Sequence, residues 1–189
     1  LADDINIHAS IVARSDFKRS VERALRNSFG HSMFAKATLL YSTDPSLEVI
    51  FRQLHSIGER DTRIQQLQAL IAVLTHFYKA RKWFEIKDDL EYTALWILHA
   101  ANNLAQLELG ARGLLIGRDV IPLALAHNPA LFKPVYQDLL NQKKTRKRLA
   151  LALDAIEHYL GARQLTICEP ILTYLSESGD PRSTTEISH

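Results

Sequence analysis

Apolar and polar residues alternate along this chain in two rhythms. Near the start the period is two: Ile5, Ile7, Ala9, Ile11 and Ala13 alternate with Asp4, Asn6, His8 and Ser10, which predicts a strand over residues 3–13. Helical spacing follows. Ser15 offers an N-cap, Phe17, Val21 and Leu25 fall on one face, and Gly30 offers a stop. Residues 37–43 (ATLLYST) form a short apolar run that fits a second strand or a helical turn.

From Asp44 onward the rhythm is helical throughout. Asp44-Pro45 and Asn128-Pro129 each place a capping side chain before a proline at the first helical position. Asp88 with Glu91 reads as a capping box, and Asp119 opens a short helix ending near Ala126. Gly58 is the expected joint between two helices, and Gly110, Gly113 and Gly117 form the one glycine-rich loop. Further apolar stripes run from Leu149 to Leu160 and from Ile167 to Leu175, and Ser183-Thr184-Thr185-Glu186 is a last capping box. The predicted core is Leu54, Ile57, Leu67, Leu70, Ile71, Leu74, Leu95, Leu98, Ala101, Leu104, Ala105 and Leu153, with Trp96 beside it at a domain or subunit contact. The fold class is therefore mainly α: a helical bundle with a small N-terminal strand-containing piece.

Composition narrows the chemistry. With 189 residues, 47% apolar and 23% charged, the chain can build one sizeable core. Only 7 glycines occur, and neither GxGxxG nor GxxxxGK[ST] is present, which excludes the standard dinucleotide and P-loop sites. A net charge of +2 selects neither nucleic acid nor membrane, and no apolar run approaches the ~18 residues of a spanning helix. The lone Cys168 fits a buried structural thiol and a reducing, cytoplasmic setting. No signal-peptide pattern opens the chain. Both ends, Leu1 and His189, read as cuts in a longer protein.

Candidate catalytic groups are few. The 8 histidines are scattered, and none forms the HxxxH or HExxH pair that sets two imidazoles on one helix face. Asp88, Asp89 and Glu91 fit a helix first turn, where acids satisfy free amides and the macrodipole. Lys143, Lys144, Arg146, Lys147 and Arg148 fit a solvated joint between helices, with no aromatic interleaved to make a stacking platform. Arg26 and His31 have the Arg-x4-His spacing that resembles the HEPN ribonuclease motif; there an Arg and a His act on RNA without a metal.

The order of elements resembles a second family. The strand over residues 3–13, the helix start at residues 14–19 (RSDFKR) and the apolar run ending Leu-Leu-Tyr-Ser look like the last third of a nucleotidyltransferase catalytic domain of the DNA-polymerase-β superfamily. Residues 104–118 (LAQLELGARGLLIGR), followed by helix, Asn128-Pro129 and helix, are similar to the helical second domain of kanamycin-nucleotidyltransferase-type and minimal nucleotidyltransferase proteins. Residues 181–188 (PRSTTEIS) look like the opening of a winged helix-turn-helix. The resemblance divides the chain into residues 1–43, the C-terminal part of an α/β domain; residues 44–178, a substrate-binding, HEPN-like bundle; and residues 179–189, the start of the winged helix.

The family's Gly-Ser and Asp-x-Asp motif, which sets two carboxylates on Mg²⁺, is missing here. The strand places Asp4, Asn6 and His8 on one face at about 6.8 Å intervals. Asn6 would stand at the family's third acidic position, so the resemblance makes Asp4 the candidate catalytic and metal-binding carboxylate. Arg14, Lys18 and Arg19 would meet a nucleotide. The implied function is a helical partner domain forming one wall of a nucleotide or substrate cleft, with catalysis depending on a domain outside this sequence. The competing reading is a non-enzymatic interaction or dimerisation module of a DNA-binding regulator, reaching nucleic acid through the downstream winged helix; a homo-oligomer fits either.

Overall fold

A computed structural model describes residues 7–26, 28–54 and 59–179. The elements in chain order are α1 (Arg14–Arg26), α2 (Ser28–Ala35), α3 (Pro45–Leu54), α4 (Glu59–Glu85), α5 (Leu90–Ala111), α6 (Val120–His127), α7 (Pro129–Phe132), a π-helical segment (Lys133–Gln137), α8 (Asp138–Asn141), α9 (Arg146–Gly161) and α10 (Gln164–Ser178). No described residue lies in a strand, and no described helix is long and apolar enough to cross a membrane.

The frame is an antiparallel hairpin of α4 and α5. Its inner face packs on α6, α9 and the π-helical segment. Alanine makes this close approach feasible: Ala80, Ala100, Ala101, Ala105, Ala124 and Ala152 are fully buried, and Ile97, Leu104, Phe132, Val135, Leu149 and Ile156 fill the space between. The π turn has a local cause. Pro134 has no amide hydrogen, and its ring would crowd the carbonyl one α-turn back. The helix widens there, and the Asp138 amide bonds the Lys133 carbonyl instead. Phe132, Val135 and Leu139 stay on the core side through the widened turn.

The expected starts at Asp44 and Asn128 are confirmed. Asp44 Oδ1 accepts from the Ser46 amide at 3.0 Å, and Asn128 Oδ1 from the Leu131 amide at 3.2 Å. The cap of α5 is Asp89, which accepts from the Tyr92 amide at 2.8 Å; its neighbour Asp88 takes the turn conformation at φ 50°. Arg14 opens α1, so Ser15 lies inside it, and Gly30 lies inside α2 where a stop was expected.

Over its described part, residues 7–13, the expected N-terminal strand is not formed. Residues 7–13 are irregular, with Ile7 67%, Ile11 106% and Val12 56% exposed. Residues 37–43 are irregular too, with Leu40 93% and Tyr41 82% exposed. A strand requires a partner ladder, and the described residues provide none. Residues 1–6, with Asp4 and Asn6, and residues 180–189, with the expected winged-helix start, lie outside the described residues, as do Ile57 and Gly58.

Leu54, Leu70, Ala101, Leu104, Ala105 and Leu153 are buried as expected, and Leu67, Leu74 and Leu98 partly so. Ile71 and Leu95 are exposed. The large aliphatics at 67, 71 and 74 misplace the phase of α4: the true seam is Ala69, Leu70, Val73, Phe77 and Ala80, in which small residues make the contact.

Candidate functional site

The sequence-predicted groups do not converge on one described site. Arg14 pairs with Asp44 at 2.6 Å and donates to Ser46 Oγ at 2.5 Å. Hydrogen bonds from Ser46, then the Arg14 and Lys18 charges, hold the Asp44 carboxyl below the usual range. Arg19 pairs with Asp16 along α1. Two of the three expected nucleotide-binding cations are thus engaged by carboxylates of this chain. His31 is fully buried, and its Nε2 lies 2.8 Å from the Leu54 carbonyl, tying α2 to α3. An imidazole so placed joins helices; it does not meet the solvent-side requirement of a ribonuclease acid or base. Cys168 is half-buried against the core. Among the described residues no three His, Cys, Asp or Glu side chains are grouped to hold a metal ion.

Two constellations emerge that sequence spacing alone did not single out. The first lines the outer seam of α4 and α5. From the hairpin turn inward, Trp83 meets Tyr92 edge-on at 4.4 Å and Tyr92 meets Trp96 at 6.0 Å. Trp96 then lies against His76 at 5.8 Å and His99 at 5.4 Å, and the two imidazoles are 5.7 Å apart. The Lys79 ammonium sits 4.3 Å from the Trp96 ring, a cation–π contact. His76 Nδ1 and Trp96 Nε1 are both buried without a partner. Desolvation, then the neighbouring His99 and Lys79 charges, push His76 below its ordinary value. The signal was present in the sequence as register: His76, Lys79 and Trp83 share one face of α4, and Tyr92, Trp96 and His99 one face of α5. A short turn between two such helices brings the faces together.

The second constellation closes the far end of α5. Glu108 is 1% exposed, and Arg112 reaches its Oε1 at 2.8 Å through both Nε and a terminal nitrogen. Arg163 stands 3.8 Å from Oε2 and covers the Tyr159 ring at 4.1 Å. Burial acts to raise the Glu108 carboxyl, but Arg112, the adjacent Tyr159 hydroxyl and Arg163 outweigh it, so it lies below the usual range. Burial and the Glu108 charge push the Tyr159 phenol well up. Arg112 also reaches the His127 carbonyl at 3.4 Å, so this junction ties α5, α6 and α9 together.

A comparison with known proteins was made on this fold. No protein-family model and no curated protein matches the chain. A solved structure described as a nucleotidyltransferase-like protein from Exiguobacterium sibiricum 255-15 superposes with a TM-score of 0.74 at 21% identity. The match takes in 89% of this chain and 59% of that one. The shared property is the fold, a mainly helical bundle found within a longer nucleotidyltransferase-like protein.

Proposed function

We propose that this chain is the helical partner domain of a nucleotidyltransferase-like protein and forms one wall of a nucleotide or substrate cleft. The fold likeness carries the reading, because the bundle matches most of this chain but only 59% of a protein described as nucleotidyltransferase-like. Two local features support it. The α4–α5 seam offers ring faces and a cation of the kind that meet a planar base. Ile7, Ile11, Val12, Leu40 and Tyr41 are apolar surface in want of a cover, which a catalytic domain would supply.

In this reading the transfer chemistry belongs mainly to that other domain. Asp4 is the one carboxylate of this chain proposed to serve it and its Mg²⁺, and Arg14, Lys18 and Arg19 border the nucleotide. Arg14 would first have to exchange Asp44, and Arg19 Asp16, for phosphate. A bundle that resembles the kanamycin-nucleotidyltransferase and HEPN-like helical domains fits a binding and positioning role.

The test is calorimetric titration of Mg²⁺-ATP and the other nucleoside triphosphates into the full-length protein and its Asp4→Ala, Arg14→Ala and Glu91→Ala variants. The proposal expects saturable binding, weakened by the first two changes and indifferent to the third. Loss on changing Glu91 with Asp4→Ala unaffected would overturn the site assignment. No binding by the unmutated protein would favour the non-enzymatic dimerisation or regulator module.

A further inference from the structure

We propose that the end of the bundle where α9 begins binds nucleic acid through its phosphodiester backbone, with Lys143, Lys144, Lys147 and Arg148 as the contacting cations. Lys143 and Lys147 are exposed, Lys144 and Arg148 half-buried, and the three ammonium groups have no partner among the described residues. Cations elsewhere in the bundle meet carboxylates of this chain: Arg14 with Asp44, Arg63 with Glu169, Arg81 with Glu157, and Arg112 with Glu108. Within the run only Arg146 does so, with Asp88. Nor does the run serve its own helix. Acids, not cations, suit a first helical turn, and α9 has none there. Thr145 already caps α9, accepting from the Arg148 amide at 3.4 Å. The charge therefore supports neither the helix it opens nor an ion-pair network, and it is available to a partner outside the chain.

The fold concentrates that charge. Arg146 lies over the Phe84 ring at 4.5 Å and donates to the Phe84 carbonyl at 3.5 Å and to Asp88. These contacts clamp the start of α9 against the α4–α5 turn, which brings the exposed Lys87 to the same end. The Arg148 guanidinium folds back to the Lys143 carbonyl at 3.0 Å and so stays with residues 143–145. The carboxylates at this end are already engaged. Glu85 pairs with Arg81, Asp88 with Arg146, Asp89 accepts from the Tyr92 amide, and Asp138 from Gln142. Even with Glu91 in the first turn of α5 added, cations outnumber carboxylates here.

The chemistry of the run selects among anionic partners. Protein interfaces are poor in lysine and have an apolar centre, whereas residues 142–148 (QKKTRKR) carry no apolar side chain. A flat anionic leaflet fits poorly too. Lys147 and Arg148 are consecutive helical positions, about 100° apart around the axis of α9, so one plane does not reach the whole run. The nearby Ile86, 72% exposed, stands between Glu85 and Asp88 in the chain, carboxylates that an anionic surface repels. A nucleic-acid strand bends round such a corner, and lysines on free stems suit its repeating phosphates. Base stacking is no part of the site, since Arg146 already covers the Phe84 ring. Binding is therefore sequence-tolerant and governed by salt. The site needs no transfer chemistry and stands independently of the nucleotide-cleft reading.

The experiment follows the fluorescence anisotropy of a labelled single-stranded RNA of about 20 nucleotides, titrated with the full-length protein in KCl from about 50 to 200 mM. Each phosphate neutralised on a single strand contributes about −0.7 to the slope of log K against log salt. Lys143→Ala, Lys144→Ala and Lys147→Ala combined should make the slope shallower by about 2 and weaken binding about a hundredfold at about 0.1 M KCl. The combination Arg23→Ala and Arg52→Ala, on α1 and α3, should leave the slope as it is. Scrambled RNA sequences should bind alike. The melting temperature of the triple variant should not fall, because no ion pair is lost; Lys→Gln at the same three positions, which keeps side-chain length, should repeat its effect on binding. No RNA binding by the unmutated protein, or a slope that the triple variant leaves unchanged, would overturn the proposal. So would capture on phosphatidylserine-containing vesicles, lost in the triple variant, without binding to RNA; that result would assign the run to a membrane surface.

Discussion

Replacing Glu108 by alanine should be among the most damaging changes to this bundle at a position remote from the α4–α5 seam. Its side chain is 1% exposed, and Arg112 donates to it at 2.8 Å. Removing one member of a buried ion pair costs about 3–5 kcal/mol. The lower end applies, because the Arg112 and Arg163 side chains left behind are 44% and 39% exposed and regain water. About 3 kcal/mol in a chain of this size lowers the melting temperature by about 6–12 °C. Glu108→Gln keeps the shape and loses the charge, so it should fall between wild type and alanine. Arg81→Ala removes two surface pairs, to Glu85 and Glu157, and should cost no more than about 1 kcal/mol. Urea and thermal unfolding of the three variants measure this directly. If Glu108→Ala proved no worse than Arg81→Ala, the junction would not hold α5, α6 and α9 together as argued. The sign with pH follows from the depressed carboxyl. Its contribution is complete above the unfolded value near 4.5 and is lost as pH falls through the lower folded value, so Glu108→Gln should be less acid-sensitive than wild type.

Asn128→Ala removes the side-chain cap of α7 and should cost about 1 kcal/mol by urea unfolding, whereas Asp138→Ala, with no capping role, should be near neutral. Leu104→Ala, at a fully buried position between α5 and its neighbours, should cost about 2–5 kcal/mol, while Leu95→Ala on the exposed seam should stay below about 1 kcal/mol. Gly113 has φ +68°, so Gly113→Ala should destabilise by about 1 kcal/mol although nothing lies within 4 Å of the added methyl. His76 should titrate by NMR below the ordinary value of 6.5. The unfolded chain then takes up a proton first as pH drops below that value, and this residue's share of stability falls in the same window.

Local chemistry was readable where a capping side chain stands before a proline, and not at Ser15 or Gly30, which lie inside α1 and α2. Asp44-Pro45 and Asn128-Pro129 specify helix starts through their own side chains and the fixed φ of proline, and no distant contact can alter that. Asp88 with Glu91 was read as the capping box, but the cap is Asp89, one residue on, because Asp88 takes the turn conformation at φ 50°. The alternation at Ile7–Ile11–Ala13 was read correctly as a pattern and wrongly as a strand, because a ladder needs a second chain segment and none is present among the described residues. The basic run at 143–148 was read as lacking aromatics; folding seats Arg146 over the Phe84 ring at 4.5 Å and pairs it with Asp88. The seam was missed for a related reason. His76 and His99 are scattered in sequence and meet only because the turn at 86–89 folds α5 back along α4.

The central claim is that this bundle walls a nucleotide cleft, and photocrosslinking tests it most directly. The full-length protein is irradiated with 8-azido-ATP and Mg²⁺, and the labelled peptides are mapped by mass spectrometry. The account predicts label within residues 76–99, on the seam that carries Trp83, Tyr92 and Trp96, and its loss on competition with unmodified ATP. Label confined to segments outside this chain, or label on the seam that ATP does not displace, would contradict it.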